Sequence, residues 1–191
     1  MSSGMMKYRM VLLAAVLAGL GGMGVAGTDP LFIDRGADLS PRPVYAGDWE
    51  YFVGGGVAIL DCNGDNLPDL FTAGGTDPAS LLINQSAPDG PIRFASGQIA
   101  AMTGVTGAYP LDINGDGWLD LAVMRVGRNT LLKGGPDCQF QDANAEWGFD
   151  GGGERWSTAF SATWEKGAVW PTLAVGNYVD RTRADGPFGA C

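Results

Sequence analysis

A chain of 191 residues with 46% apolar content is long enough for one domain with a core and too apolar for general disorder. Its formal charge of −9 disfavours nucleic acid and anionic membranes as partners, because their phosphates would repel it, and leaves divalent cations as its natural counterions. The 31 glycines and 11 prolines punctuate short runs rich in Val, Leu, Ile, Phe and Trp, which is the texture of many strands and turns and not of helices.

The amino terminus has the layout of an export signal. Lys7 and Arg9 form a basic start, Val11 to Leu20 (VLLAAVLAGL) an apolar middle, and Gly24, Val25, Ala26 and Gly27 a small-residue cleavage region, so a signal peptide is expected over residues 1–27. An uncleaved membrane anchor is the competing reading, against which the run is short and glycine-broken for a span of ~20 residues. No cysteine follows it where lipidation would need one. Cleavage removes Lys7 and Arg9 and no acid, which takes the formal charge from −9 to −11. The mature chain is therefore expected to be secreted, periplasmic or at the cell surface, with no stable membrane span. Residues 28–50, including DLSPRPVY, read as an extended lead-in.

Self-similarity organises the remainder of the chain. Gly54 to Gly75 (GGGVAILDCNGDNLPDLFTAGG) lies over Thr106 to Gly127 (TGAYPLDINGDGWLDLAVMRVG) at a shift of 51 residues, so that Asp61, Asp65 and Asp69 fall on Asp112, Asp116 and Asp120. A fainter third copy, Phe160 to Tyr178, follows at a shift of 52. The first unit contains four short runs, GVAILD, DLFTAG, SLLINQ and IRFASG; the second contains GAYPLD, DLAVMRV, NTLLKG and CQFQDA in the same order. Each is too short for a typical helix and is bounded by turn residues. Four antiparallel strands per fifty residues, repeated, is the pattern of a β-propeller blade. The expected fold is all-β, a partial propeller of about three four-stranded blades: blade 1 over 51–101, blade 2 over 102–153, and an incomplete blade 3 over 154–191.

The order strand, Asp-x-Asn-Gly-Asp-x-x-x-Asp loop, strand resembles the FG-GAP or VCBS repeats of integrin α-type propellers. More closely, GVAILDCNGDNLPDLFTAGG, GVTGAYPLDINGDGWLDLAV and LAVGNYVDR are similar to the amino-terminal blades of exported proteins related to cartilage acidic protein, the ASPIC/UnbV group. The resemblance covers roughly residues 51 to 181 and implies a closed ring of about seven blades, of which this chain would be an amino-terminal fragment.

The two loops read as calcium sites. Carboxylates held ~4 Å apart repel by about 1 kcal/mol in water and about 4 at an effective dielectric of 20, so converging three of them is costly without a cation. Ca²⁺ takes six to eight hard oxygens in a flexible shell. The first site is expected to use Asp61, Asn63, Asp65, the main-chain carbonyl of Leu67, and Asp69 (loop 61–69); the second, Asp112, Asn114, Asp116, the carbonyl of Trp118, and Asp120 (loop 112–120). Gly64 and Gly115 stand where the chain must bend between ligands. Mg²⁺ is disfavoured by its strict octahedral geometry, and zinc lacks ligands in a chain without histidine. An EF-hand would need a Glu at the twelfth position and a Gly at the sixth between helices; these positions are Thr72 and Asn66 in one loop, Val123 and Gly117 in the other. The competing reading, turns that are merely rich in Asp, Asn and Gly, does not explain two such loops at equivalent repeat positions. In the third unit Trp164, Lys166, Ala168 and Thr172 replace the ligand side chains, so that loop is expected to bind no calcium.

Other features carry less. Cys62, Cys138 and Cys191 allow one internal disulfide and one leftover thiol; a Cys62 to Cys138 pair is one option, and Cys191, the last residue, leaves another. Trp118, Trp147, Trp156, Trp164 and Trp170 are expected to pack between sheets, ahead of forming a sugar-stacking surface. Asn84-Gln85-Ser86 fits a glycosylation acceptor and is read as chance. The function expected from the whole is an exported calcium-binding scaffold for binding or adhesion, whose partner is an extracellular or periplasmic protein or a glycan, and not an enzyme. The alternative is a non-catalytic part of a larger propeller hydrolase or lyase with its active site in further blades.

Overall fold

The computed structural model describes residues 31–180. The signal peptide expected over 1–27 and the last residues from Arg181, Cys191 among them, lie outside the described residues. The strands and turns belong to the unit Arg35–Cys191; of the unit Met1–Asp34 only residues 31–34 are described, and they carry no regular secondary structure.

No α-helix occurs among the described residues. These residues form ten strands: β1 (Val57–Leu60), β2 (Asp69–Thr72), β3 (Ser80–Asn84), β4 (Phe94–Ser96), β5 (Val105–Leu111), β6 (Asp120–Gly127), β7 (Thr130–Gly135), β8 (Gln139–Asp142), β9 (Arg155–Thr163) and β10 (Thr172–Asp180). All eight runs of the first two sequence units fall on strands β1 to β8. The strands β1-β2-β3-β4 form one antiparallel meander and β5-β6-β7-β8 a second; β9 pairs with β10, and the end of β6 also pairs with β9. The molecule is a partial β-propeller.

The third hairpin has the same register as the first two. Leu60 pairs with Asp69, Leu111 with Asp120, and Thr163 with Thr172, so the connections 61–68, 112–119 and 164–171 are equal in length. Contacts between blades repeat as well. Gly75 bridges Val105 where blade 1 meets blade 2, and Val126 pairs with Trp156 where blade 2 meets blade 3, both partners displaced by 51 residues.

Alternation along β6 divides that strand between two cores. Leu121 and Val123 face blade 1, in a cluster with Ala58, Leu60, Phe71, Leu81 and Val105; Ala122 and Met124 face blade 3 with Ile113 and Leu131. Such a strand is buried on both sides and reads as a continuous apolar run. β1 has only one covered face. Ala58 and Leu60 are buried, while Val57 and Ile59 are 56% and 63% exposed.

Residues 46–49, the last part of the expected lead-in, pack on the end of the blades away from the acidic loops. Ala46 donates its N–H to the Gly74 carbonyl (3.0 Å) and accepts one from Thr76 (2.9 Å), and Trp49 meets Trp156 edge-on with centroids 5.3 Å apart. Among the tryptophans assigned to packing, Trp156 is buried and Trp118 and Trp147 are half-buried, but Trp164 and Trp170 are 45% and 50% exposed. Those two lie in the β9–β10 connection, where no further blade among the described residues covers them.

Neighbouring blades approach through their innermost strands. The Gly56 N–H donates to the Thr106 carbonyl (3.1 Å), and the Thr106 hydroxyl donates to the Ser157 carbonyl (2.7 Å). A Cβ on Gly56 would stand 2.9 Å from Gly107 Cα and 3.1 Å from Thr106 O, both backbone; a Cβ on Gly107 would meet only Gly56 Cα, at 4.0 Å. Gly56→Ala is therefore expected to force the inner strands apart at a cost of about 1–3 kcal/mol. Gly107→Ala should stay within about 0.5 kcal/mol of the parent. Urea unfolding midpoints at unchanged slope measure the difference, and equal effects at the two glycines would refute this account of the interblade fit.

Candidate metal centres

Each acidic loop closes a hairpin, β1–β2 or β5–β6, and folds around its own first aspartate. Asp61 Oδ1 accepts N–H bonds from Gly64 (2.8 Å) and Asp65 (3.1 Å), and its Oδ2 accepts one from Asn66 (2.8 Å). Asp112 does the same with Gly115 (2.8 Å), Asp116 (3.2 Å) and Gly117 (3.0 Å). Wrapping three successive N–H groups about one carboxylate requires a tight reversal of the chain. Gly64 and Gly115 have φ of 76° and 74°, with open space where a side chain would begin, so backbone conformation and not crowding calls for glycine. The sixth position bends the same way: Gly117 has φ 89° and Asn66 φ 64°. Asparagine tolerates that region better than most residues, which accounts for a residue that stands out in the sequence only as an EF-hand mismatch.

The third and fifth positions lock to each other. Asn63 donates its side-chain N–H to Asp65 Oδ2 (2.9 Å) and accepts from the Asp65 N–H (3.2 Å); Asn114 and Asp116 repeat both bonds at 2.7 and 3.1 Å. Asp65 and Asp116 then accept the N–H groups of Leu67 (2.8 Å) and Trp118 (2.9 Å). The Trp118 N–H, with help from Asn114, holds the exposed Asp116 carboxyl below the usual carboxylate range.

The ninth position behaves differently. Asp69 and Asp120 have no exposed surface. Asp69 accepts the Cys62 N–H through Oδ2 (3.0 Å) and the Asn84 N–H, on β3, through Oδ1 (2.8 Å); Asp120 accepts those of Ile113 (2.7 Å) and of Gly134 on β7 (2.8 Å). Each buried carboxylate thus ties the start of its loop to the third strand of its blade. Burial pushes the Asp120 carboxyl up, the two N–H bonds oppose this, and the charges of Asp116 and Asp112 add to the rise. The backbone is fitted to the site as well: a Cβ on Gly134 would collide with the Leu119 carbonyl at 2.1 Å.

The ten predicted site residues lie in two loops with matching hydrogen bonds, but among the described residues the three carboxylates of neither loop draw within 4.8 Å of one another. Leu67 and Trp118 enter the hydrogen-bonding through their N–H groups. The eight predicted ligand side chains offer hard oxygens, which fits a dication of the Ca²⁺ kind. A carboxylate oxygen that accepts one N–H keeps lone-pair capacity for a cation. In the third hairpin the Thr172 hydroxyl donates to Glu165 (3.3 Å) where the others bury a carboxylate.

Two features were not legible as parts of the site. Cys62, second in its loop, is disulfide-bonded to Cys138, in the turn Pro136–Cys138 between β7 and β8, across a sequence separation of 76. Asp69 Oδ2 lies 3.0 Å from Cys62 Sγ and 3.7 Å from Cys138 Sγ, and since disulfide sulfurs carry no hydrogen these are contacts and not hydrogen bonds. The three residues' ligand atoms cluster within 4.8 Å, but sulfurs bonded to each other are not the thiolates a metal would take. Asn84 stands out in the sequence only through its glycosylation motif; it is buried and donates its side-chain N–H to the Pro68 carbonyl (2.9 Å), so it serves the loop and presents no free amide. The buried role of Asp69 and Asp120 had a signal: each stands two residues before a core residue of the same strand, Phe71 or Ala122.

Asp120→Ala would leave the buried N–H groups of Ile113 and Gly134 without partners, so it is expected to cost about 2–5 kcal/mol even in chelator. Asp116→Ala, at an exposed carboxylate, should cost under about 1 kcal/mol under the same conditions. Denaturant unfolding in EDTA separates the two, and equal losses would overturn the assignment of the ninth position as a buried tie.

Residues 61–123, which span both acidic loops and run into β6, match the family of FG-GAP-like repeats. No curated protein matches the chain. The segment carrying both loops is thus similar to an FG-GAP-like repeat, in keeping with a β-propeller scaffold.

Proposed function

We propose that this protein is an exported, calcium-stabilised propeller that presents a binding surface to an extracellular or periplasmic protein or a glycan, and that it is not itself an enzyme. The observation that carries the reading is the duplicated loop: two acidic cages, 51 residues apart, fold with the same hydrogen bonds, while a third hairpin of equal length has no acid at those positions. Asp61, Asn63, Asp65 and Asp69, with the Leu67 carbonyl, would hold one ion; Asp112, Asn114, Asp116 and Asp120, with the Trp118 carbonyl, would hold the other. A bound dication would supply charge neutralisation, offsetting the repulsion that drawing the carboxylates around it entails.

The role is folding and presentation. Carboxylates engaged by main-chain N–H groups inside a loop are better suited to holding an ion than to moving protons, and the chain contains no histidine to serve as a base. Export is supported by the basic and apolar start of the chain together with the Cys62–Cys138 disulfide, a bond that persists in oxidising compartments. The exposed face of β1 supports placing the chain in a larger ring, and the loop sequences support a relation to the ASPIC/UnbV group.

Isothermal titration of the metal-free protein with calcium tests the reading. The parent should show two binding events, and Asp65→Ala and Asp116→Ala should each lose one. Saturating calcium, at a hundred times the dissociation constant, should add about 2.7 kcal/mol of stability per site. Titrations indistinguishable among the three proteins would sink the site assignment.

A further inference from the structure

The two loops have the same internal bonds but different anchors, and the anchor is the second residue. In loop 112–120 that residue is Ile113, buried at 3% exposure, whose N–H goes to Asp120 and whose side chain is held by packing in the core between blades 2 and 3. In loop 61–69 it is Cys62, covalently tied to Cys138 of the next blade. The same residue donates its N–H to Asp69, so one position carries both the cross-link and the bond that brings the ninth ligand to the first. Asp61 and Asn63 flank it directly. The far end of the cross-link is held in a conformation that side chains resist: Asp137 and Cys138 are consecutive non-glycine residues with φ of 56° and 57°.

Resting on the calcium reading above, we propose that the Cys62–Cys138 disulfide positions the first loop for its cation, so that binding at loop 61–69 depends on the redox state while binding at loop 112–120 does not. A dithiol would reduce it in a balanced exchange. Its thiolate attacks one sulfur, the S–S bond breaks to a mixed disulfide, and its second sulfur displaces that link and leaves as a cyclic disulfide. Two electrons and the reductant's two protons end on Cys62 and Cys138 as thiols. The freed Pro136–Cys138 turn can then leave its left-handed conformation. The Cys62 thiol, its sulfur 3.0 Å from Asp69 Oδ2, becomes a new S–H donor to that oxygen. Both changes loosen the placement of the first and ninth ligands. Because both sulfurs are buried, at 3% and 5% exposure, exchange is expected only through local opening, which a cation at the loop would suppress.

The coupling is reciprocal. If reduction weakens the first site about tenfold, within the range common for coupled sites, saturating calcium must lower the reduction potential of the disulfide by about 30 mV.

The experiment uses Asp116→Ala, which leaves only the first loop, and Asp65→Ala, which leaves only the second. Each is titrated with calcium oxidised and after dithiol treatment, and Cys138→Ser in the Asp116→Ala background stands for permanent loss of the bond. The expected result is about a tenfold weaker affinity for reduced Asp116→Ala and for its Cys138→Ser form, and less than a twofold change for Asp65→Ala, whose retained binding also reports that the fold survives. Hydrogen exchange in chelator supplies a readout without metal: the Cys62, Asn66 and Leu67 amides should lose protection on reduction while those of Ile113, Gly117 and Trp118 keep theirs. Equal affinities in both redox states, or equal loss at both loops, overturn the proposal. No binding by oxidised Asp116→Ala, with the exchange difference intact, instead locates the failure in the calcium reading and ends the redox claim with it.

Discussion

Asp69 and Asp120 each bury a whole carboxylate and close two main-chain hydrogen bonds with it, one to the second residue of the loop and one to the third strand of the blade. The rest of the loop face depends on this arrangement. The inner hairpin, the loop at its tip and the outer strands are separate pieces of chain, and this side chain is where they are joined. Its position is energetically exposed: burial raises the Asp120 carboxyl, and the neighbouring Asp116 and Asp112 raise it further. Two N–H donors offset part of that cost, and a cation in the loop would offset more. On the calcium reading, the feature that makes the fold specific would also make the loop receptive to positive charge.

Blades associate through two devices of different kinds. One is apolar alternation, by which β6 gives Leu121 and Val123 to one core and Ala122 and Met124 to the other. The second is close backbone approach at the inner strands, where Gly56 and Thr106 hydrogen-bond across the blade boundary and the absence of a side chain at Gly56 sets the separation. The disulfide adds a covalent tie at the first boundary only. A cross-link closing a loop of that length restricts the unfolded chain by about 4 kcal/mol in the chain-entropy account. At the second boundary Ile113 fills the corresponding place by packing.

Much of this was legible before any coordinates. The strands could be read because each run is short, apolar and fenced by Gly, Asn, Asp or Pro, and the blades because Asp61 and Asp112 begin the same nine-residue pattern. The third hairpin was legible from three residues, Leu173 to Val175, which lie on β10. Less legible were features that depend on partners distant in the chain. Nothing local to Cys62 distinguishes Cys138 from Cys191 as its mate. Asn84 sits in a glycosylation motif, and only its burial beneath Pro68 shows that its amide is already used. Trp164 and Trp170 have the composition of packing residues, and their exposure follows from what stands beside them.

The sequence by itself determined the local chemistry: strand periodicity, turn residues, the oxygen-rich spacing of the two loops and the degeneracy of the third. These follow from interactions within a few residues, where chain geometry leaves little freedom. The tertiary structure alone decided which cysteine meets Cys62, which face of each strand is covered, and that the ninth aspartate turns inward to serve the backbone as well as the loop. Those outcomes depend on residues tens of positions apart converging in space, and the free energy that selects among such pairings comes from burial and desolvation, which no stretch of sequence carries on its own.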